Sequence, residues 1–435
     1  MAIASPNTTA STTSAPSTGQ SYGAPLATVT TLFFMWGFLT CLNDILVPHL
    51  KAIFDLNYTR VMLIQFAFFG AYFIFSIPSA KIIDWMGYQR SMVLGLLTMG
   101  VGAFLFVPAA SVPSYPLFLG ALIVLAAGIT CLQVAANPYV TVLGKPETAS
   151  SRLNLTQAFN SLGTFLAPFF GGLLILSSAP KTADQIRAMA PADALAYRLH
   201  EAASVKTPYV GLGIALVLLA VAIGAFKLPK IEHAQHKVGE KVNDSIWKHP
   251  NLIFGAIAIF VYVGAEVSIG SFLVNYFAQP EIGGLTEKVA ASFVAFYWGG
   301  AMVGRFIGSA LLQKMKTAGL LGICAICAAG LVAVSMLTSG HFAMYSIILV
   351  GLFNSIMFPS IFTLGVAELG PLTGDGSGIM IMAIVGGAII PVAQGWIADH
   401  IGIHHAFFLP VICYVYILFF ALSGSKPNSE RYARA

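Results

Sequence analysis

Two carboxylates stand 222 residues apart inside otherwise apolar runs, Asp44 in Asn43-Asp44-Ile45-Leu46-Val47-Pro48 and Glu266 in the run 250–279. A third charge, Arg305, lies inside the run 289–312. A carboxyl set among apolar side chains takes up and gives off a proton as it is dried and wetted. That makes Asp44 and Glu266 candidates for carrying a coupling cation, a proton first and Na⁺ as the alternative. The competing reading is a structural pair with a base. Arg305 is the only Lys or Arg inside a run, and by helical rise it is out of register with both acids, which suits a gate better than a pair. Catalytic chemistry finds no support: there is no nucleophile–base pair and no His-Glu-x-x-His. Gly374-Asp375-Gly376-Ser377-Gly378 reads as a glycine-rich loop that follows no strand and lacks a phosphate-binding lysine. Cys324-Ala325-Ile326-Cys327 has metal spacing, but no histidine or second pair accompanies it, so packing is the better reading. No catalytic residue, metal or cofactor is expected.

Neutral polar residues form a second group. Gln157 and Asn160 are three apart and share a helix face. Gln133 and Asn354 are separated by 221. Asn43 adjoins Asp44, and Trp36 precedes it by eight residues, about two turns, on nearly the same face. Amides donate and accept hydrogen bonds together, and an indole can stack on a C–H face. The set suits a neutral ligand rich in hydroxyls, with Trp36, Asn43, Gln133, Gln157, Asn160 and Asn354 as its contacts. For each amide the alternative is bonding between helices.

These residues need elements that hold them in an apolar solvent. Hydrophobic residues make up 57% of the 435, charged residues 9% and mean hydropathy is +0.82. So few charges cannot cover a water-soluble globule, which excludes a cytosolic enzyme and a nucleic-acid binder. Twelve apolar runs, near 27–47, 61–80, 91–110, 117–141, 153–178, 209–226, 250–279, 289–312, 317–338, 342–366, 378–398 and 405–423, each approach the ~20 residues of a membrane-spanning helix. Residues 1–26 read as a disordered tail and 424–435 as a second tail. Placing both termini in the cytoplasm puts fourteen of the 22 Lys and Arg on that side, as the positive-inside rule prefers. The charged stretch 227–248 then joins two six-helix bundles, 27–226 and 249–423.

An internal repeat marks the same division. Gly163-x4-Pro168-x3-Gly172 returns as Gly386-x4-Pro391-x3-Gly395, Pro138 returns as Pro359, and Phe68-Phe69-Gly70 matches Tyr297-Trp298-Gly299. Asp44 and Glu266 obey the same offset, so they occupy equivalent places facing a shared cavity. The repeat partners of Gln157 and Asn160 are Met380 and Ala383, so the halves differ chemically. Parallel six-helix repeats point to an all-α membrane protein of the major facilitator fold, with twelve transmembrane helices in two pseudo-symmetric bundles.

Phe34-Met35-Trp36-Gly37-Phe38, Asn43 to Pro48, Ala135-Ala136-Asn137-Pro138-Tyr139 and Arg152 to Ser161 resemble the fucose–galactose–glucose:proton symporter branch of the major facilitator superfamily, closest to the bacterial glucose/galactose transporter subgroup. The resemblance covers about residues 27–423. It implies proton coupling at Asp44 and sugar contact at Gln157 and Asn160. The fucose proteins carry glutamate where this chain has Gln133, and glutamine where it has Glu266, so the second carboxylate has changed halves. Asp84-x-x-Gly87-x-x-Arg90 is a partial form of the superfamily's loop motif and is expected to serve gating together with Arg305. The implied protein is a monomeric hexose:proton importer of the bacterial inner membrane, with the bilayer and a sugar as its partners. N-acetylglucosamine and L-fucose are alternative substrates. An exporter of metabolites or drugs, and a membrane-embedded enzyme or passive receptor, are the rival classes.

Overall fold

The structure is a computed structural model that describes residues 22–54, 58–111, 114–174, 185–186, 188–204, 206–229 and 244–427. Among the described residues it is helical, with no strand. Apolar surroundings offer no partner for a bare N–H or C=O, so a chain of this composition must pair its backbone within each segment. The first part contains α1 (Gly23–Phe54), α2 (Tyr58–Ser111), α3 (Tyr115–Val142), α4 (Ala149–Leu174), α5 (Pro191–Ser204) and α6 (Lys206–Ala225). The second contains α7 (Pro250–Ala278), α8 (Glu287–Leu311), α9 (Thr317–Leu337), α10 (Gly340–Asn354), α11 (Met357–Gly365), α12 (Thr373–Met382), α13 (Gly386–Ile401), α14 (Ile403–Ala406) and α15 (Phe408–Phe419). Among the described residues, nine segments are long and apolar enough to cross a membrane. One of them, Phe66–Ser111, holds two of the expected runs, because α2 breaks at Gly87, whose φ of 82° and ψ of 168° lie outside the helical region. With α1 and α4 added, the helices are consistent with twelve crossings.

Four details differ from the sequence reading. The first helix starts at Gly23, so the last residues of the expected tail are helical. The run 342–366 is two helices. Pro359 has no N–H to give the carbonyl four residues back, Ser355, and the chain turns between α10 and α11. Gly374 to Gly378 is the opening of α12 rather than a loop. Gly378 serves contact instead of turning: a Cβ there would lie 2.9 Å from the Ala80 Cβ and 3.2 Å from the Ser76 carbonyl oxygen. The break after the fifth run contains an amphipathic helix, α5, packed on α1 and α2. Residues 1–21 and 428–435, and most of the linker (230–243), lie outside the described residues.

Within the first part α2 packs on α3 and α6, and α1 packs on α4. Within the second, α8 packs on α10, α9 on α15 and α7 on α13. The two sets meet where α4 touches α8 and α11, and where α12 touches α2 and α3. This seam is bonded at the end that carries the breaks 143–148, 312–316 and 366–372. There Ser150 and Thr363 hydroxyls are 2.7 Å apart, and Thr317 Oγ1 donates to Ser150 at 2.9 Å. Ser151 and Ser309 donate to each other's carbonyls at 2.7 and 3.1 Å. Ser377 donates to the Val134 carbonyl at 2.8 Å, and Lys81 Nζ meets Asp375 at 2.7 Å. Interhelical bonds in a bilayer contribute about 0.6 kcal/mol each on average, so a ladder of them defines a closed state that can still be opened.

Candidate functional site

The first-half polar residues converge on Tyr72. Gln133, 1% exposed on α3, donates its amide to the Tyr72 hydroxyl at 2.7 Å, and Trp36 on α1 is hydrogen-bonded to the same hydroxyl. The Trp36 ring is only half-buried and leans on Phe33, centroids 5.4 Å apart. An indole, a phenol and an amide from three helices thus form one polar edge on an aromatic base. The Gln133 carbonyl oxygen is buried without a hydrogen-bond partner, which leaves an acceptor for a ligand hydroxyl or a water.

Gln157 lies on α4 and donates to Asn137 Oδ1 at 3.5 Å, a long contact that another partner can replace. Asn160 donates to the Phe33 carbonyl at 2.9 Å. It sits where α1 and α4 cross at glycines: a Cβ at Gly37 would lie 2.0 Å from the Asn160 carbonyl oxygen, and one at Gly163 would lie 2.2 Å from that of Phe34. Asn160 therefore already serves helix packing through its amide nitrogen. Asn43 and Asp44 lie along α1, but their side chains are outside the described residues.

In the second half, half-buried Glu266 is held by tyrosines. Tyr262, one turn earlier, donates to Glu266 Oε1 at 2.8 Å and shares that hydroxyl with the Asn354 carbonyl at 3.1 Å. The Asn354 amide donates to the Tyr297 hydroxyl at 2.8 Å and accepts from Tyr414 at 2.8 Å. Asn354 is fully buried and each end of its amide bonds a tyrosine, so it ties α10 to α8 and α15. No described contact joins the Asn354 cluster to the Gln133 cluster.

Arg305 spans the seam. Its Nε donates to the Ser355 carbonyl at 3.3 Å, the group that Pro359 leaves free. Its guanidinium also reaches α4, donating to the Gln157 carbonyl at 3.4 Å and to the Ser161 hydroxyl. Asn154 returns a bond to the Arg305 carbonyl at 2.6 Å. No ion pair joins Arg305 to Glu266 among the described residues, although the cation acts on the acid through space.

At the bonded end, Asp84 lies 3.6 Å from Lys81, and a Cβ at Gly374 would approach the Asp84 carboxylate at 3.5 Å. The acid therefore faces the amino end of α12, where unpaired N–H groups favour negative charge. Arg90 is exposed. Arg152 caps α3, donating to the carbonyls of Thr141 at 2.9 Å and Val140 at 3.3 Å. Cys324 and Cys327 are free thiols, and no group of metal-ligating residues occurs among the described residues. His404 bonds Tyr276 and the Met336 carbonyl.

Sequence reasoning missed the tyrosines. Tyr72, Tyr262, Tyr297 and Tyr414 supply the hydroxyls that orient every described site amide except those of α4. Tyr262 could have been found, because it stands four residues before Glu266 on the same face.

Residues 26–384 match the Major Facilitator Superfamily. The glucose/galactose transporter of Brucella abortus biovar 1 (strain 9-941) is 54% identical over 410 residues, covering 94% of this chain and 96% of that relative. The L-fucose-proton symporter of Escherichia coli (strain K12) is 37% identical over 414 residues, 94% of each chain. A crystal structure of a major facilitator transporter, FucP, in the outward conformation superposes with a TM-score of 0.85 at 35% identity, covering 94% of this chain and all of that one.

Proposed function

The chain belongs to the Major Facilitator Superfamily, and from that premise we propose that it imports hexose, glucose or galactose, together with protons across the bacterial plasma membrane. The observation that carries the reading is the 54% identity to a glucose/galactose transporter over nearly the whole of both chains. It is a transporter and not an enzyme. The geometry supplies the parts that such a cycle needs. The bonded end of the seam closes one side, and the charge rule puts that side in the cytoplasm, which supports an outward-facing reading of this state. Sugar enters from the other side and meets Trp36, Gln133 and Gln157. Its hydroxyls take the free Gln133 oxygen and displace the long Gln157–Asn137 contact. Asp44, and Glu266 in the second half, load protons from outside. The halves 27–226 and 249–423 then rock about the site, the serine ladder parts, and sugar and protons leave together.

Uptake of radiolabelled galactose into proteoliposomes tests this. With an inward proton gradient and no Na⁺, galactose accumulates above its outside concentration, and a protonophore abolishes the excess. Accumulation that needs Na⁺ moves the coupling to Na⁺. The absence of hexose flux, with no hexose competing, refutes the substrate assignment.

A further inference from the structure

Glu266 and Arg305 are the two charges that the structure describes inside the second half, and they belong to adjoining parts of one bonded unit. Tyr262 ties Glu266 to the Asn354 carbonyl, and Arg305 holds the next carbonyl, Ser355. The groups that face Glu266 are Tyr262 on its own helix, Tyr297 and Arg305 from α8, and Tyr414 from α15. An ordinary tyrosine titrates near 10, so near neutral pH Arg305 is the only charge among them. Its other partners, the Gln157 carbonyl and Ser161 on α4, are neutral and belong to the opposite half. While the seam is closed, the guanidinium is half-buried and Glu266 is its only described countercharge.

We propose that Arg305 transmits the proton on Glu266 to the seam. With Glu266 ionised, the cation in the closed seam is compensated and the closed state is favoured. Protonation of Glu266, by a proton taken from the water on the open side, leaves the guanidinium among neutral carbonyls. A partly buried cation without a countercharge is costly, and opening the seam hydrates it. Protonation therefore favours opening towards the cytoplasm, and loss of the proton favours the return. Arg305 is a positioning residue in this scheme; it need not touch sugar.

This inference rests on the proton-coupled transport reading, and one sample set separates the two. The five cysteines are replaced, and spin labels are placed at Lys145 and Lys314, exposed residues on the breaks beside α4 and α8. Distances are measured without sugar in an acid sample at about pH 5.5 and an alkaline sample at about pH 8. In the otherwise native protein, acid raises the open-to-closed ratio by roughly 5–150-fold, the usual range for coupled sites. Glu266→Gln shows at high pH the distribution of the acid sample. Arg305→Gln shows one distribution at both pH values, and Arg305→Lys, which keeps the charge, restores the response. A native response in Arg305→Gln or in Glu266→Gln overturns the inference. If Arg305→Gln does not fold, Glu266→Gln, whose amide can still accept from Tyr262, decides alone. Galactose counterflow is measured on the same protein. Counterflow with an unaltered pH response in the variants refutes only the inference, whereas no counterflow in the native sequence refutes the transport reading beneath it.

Discussion

Gly378 offers the sharpest perturbation of the closed seam. It lies on α12, and what a Cβ there would meet belongs to α2 of the other half: Ala80 Cβ at 2.9 Å, Ser76 carbonyl oxygen at 3.2 Å and Ile77 Cδ1 at 3.6 Å. Carbon atoms in good contact sit about 3.5–4.0 Å apart, so Gly378→Ala forces α2 and α12 to part. Overpacking a close contact costs about 1–3 kcal/mol. That penalty applies only while the seam is closed. At tenfold per ~1.4 kcal/mol, the open-to-closed ratio rises by roughly 5–150-fold. Gly378→Val, with more to accommodate, moves it further. The label pair at Lys145 and Lys314 reads the shift as growth of the longer distance. Gly319→Ala on α9, where a Cβ has nothing within 4 Å, controls for the general effect of alanine in a helix. Unchanged distances in both Gly378 variants would refute the claim that the α2–α12 contact holds this state.

Other expectations concern the amides, the surface pair and the first acid. Asn354→Leu removes the partner of the Tyr414 hydroxyl, leaves that of Tyr297 only a 3.5 Å bond to the Glu266 carbonyl, and destabilises the protein by about 1–3 kcal/mol; adding Tyr414→Phe recovers part of the loss in thermal unfolding, whereas a pure change in sugar KM would show Asn354 to be a ligand contact after all. Lys81→Met or Asp375→Asn weakens the closed state only by about 0–1 kcal/mol, because the Lys81 side chain is 60% exposed, and high salt erases the difference from the native protein; a larger effect in the label distances contradicts this. Asp44→Asn exchanges galactose across the membrane and no longer accumulates it, which counterflow and gradient-driven uptake measured side by side distinguish.

The apolar runs and their repeat were legible because membrane solvation writes them into composition. A charge or an unpaired carbonyl in hydrocarbon costs enough that helices of about twenty apolar residues are nearly forced. Local rules failed where tertiary contact overrode them. Gly374 to Gly378 reads as a turn in water, yet beside α2 its Gly378 is what a close helix crossing requires. The polar character of Asn354 was visible but its partners were not. Tyr297 and Tyr414 count as apolar in a hydropathy reading, and they lie 57 and 60 residues away. The same holds for Gln133 and Tyr72, 61 apart. The bond from Arg305 to Ser355 needed two facts far apart in sequence: a cation in α8, and a proline that frees a carbonyl after α10.

Proton symport requires protons to move with sugar. A pH-sensitive dye enclosed in proteoliposomes, with no imposed pH gradient and Na⁺ absent, reports this when galactose is added outside. In proton symport the lumen acidifies as sugar enters, with the signal lost in Asp44→Asn. Galactose entry at the native rate without acidification would contradict it.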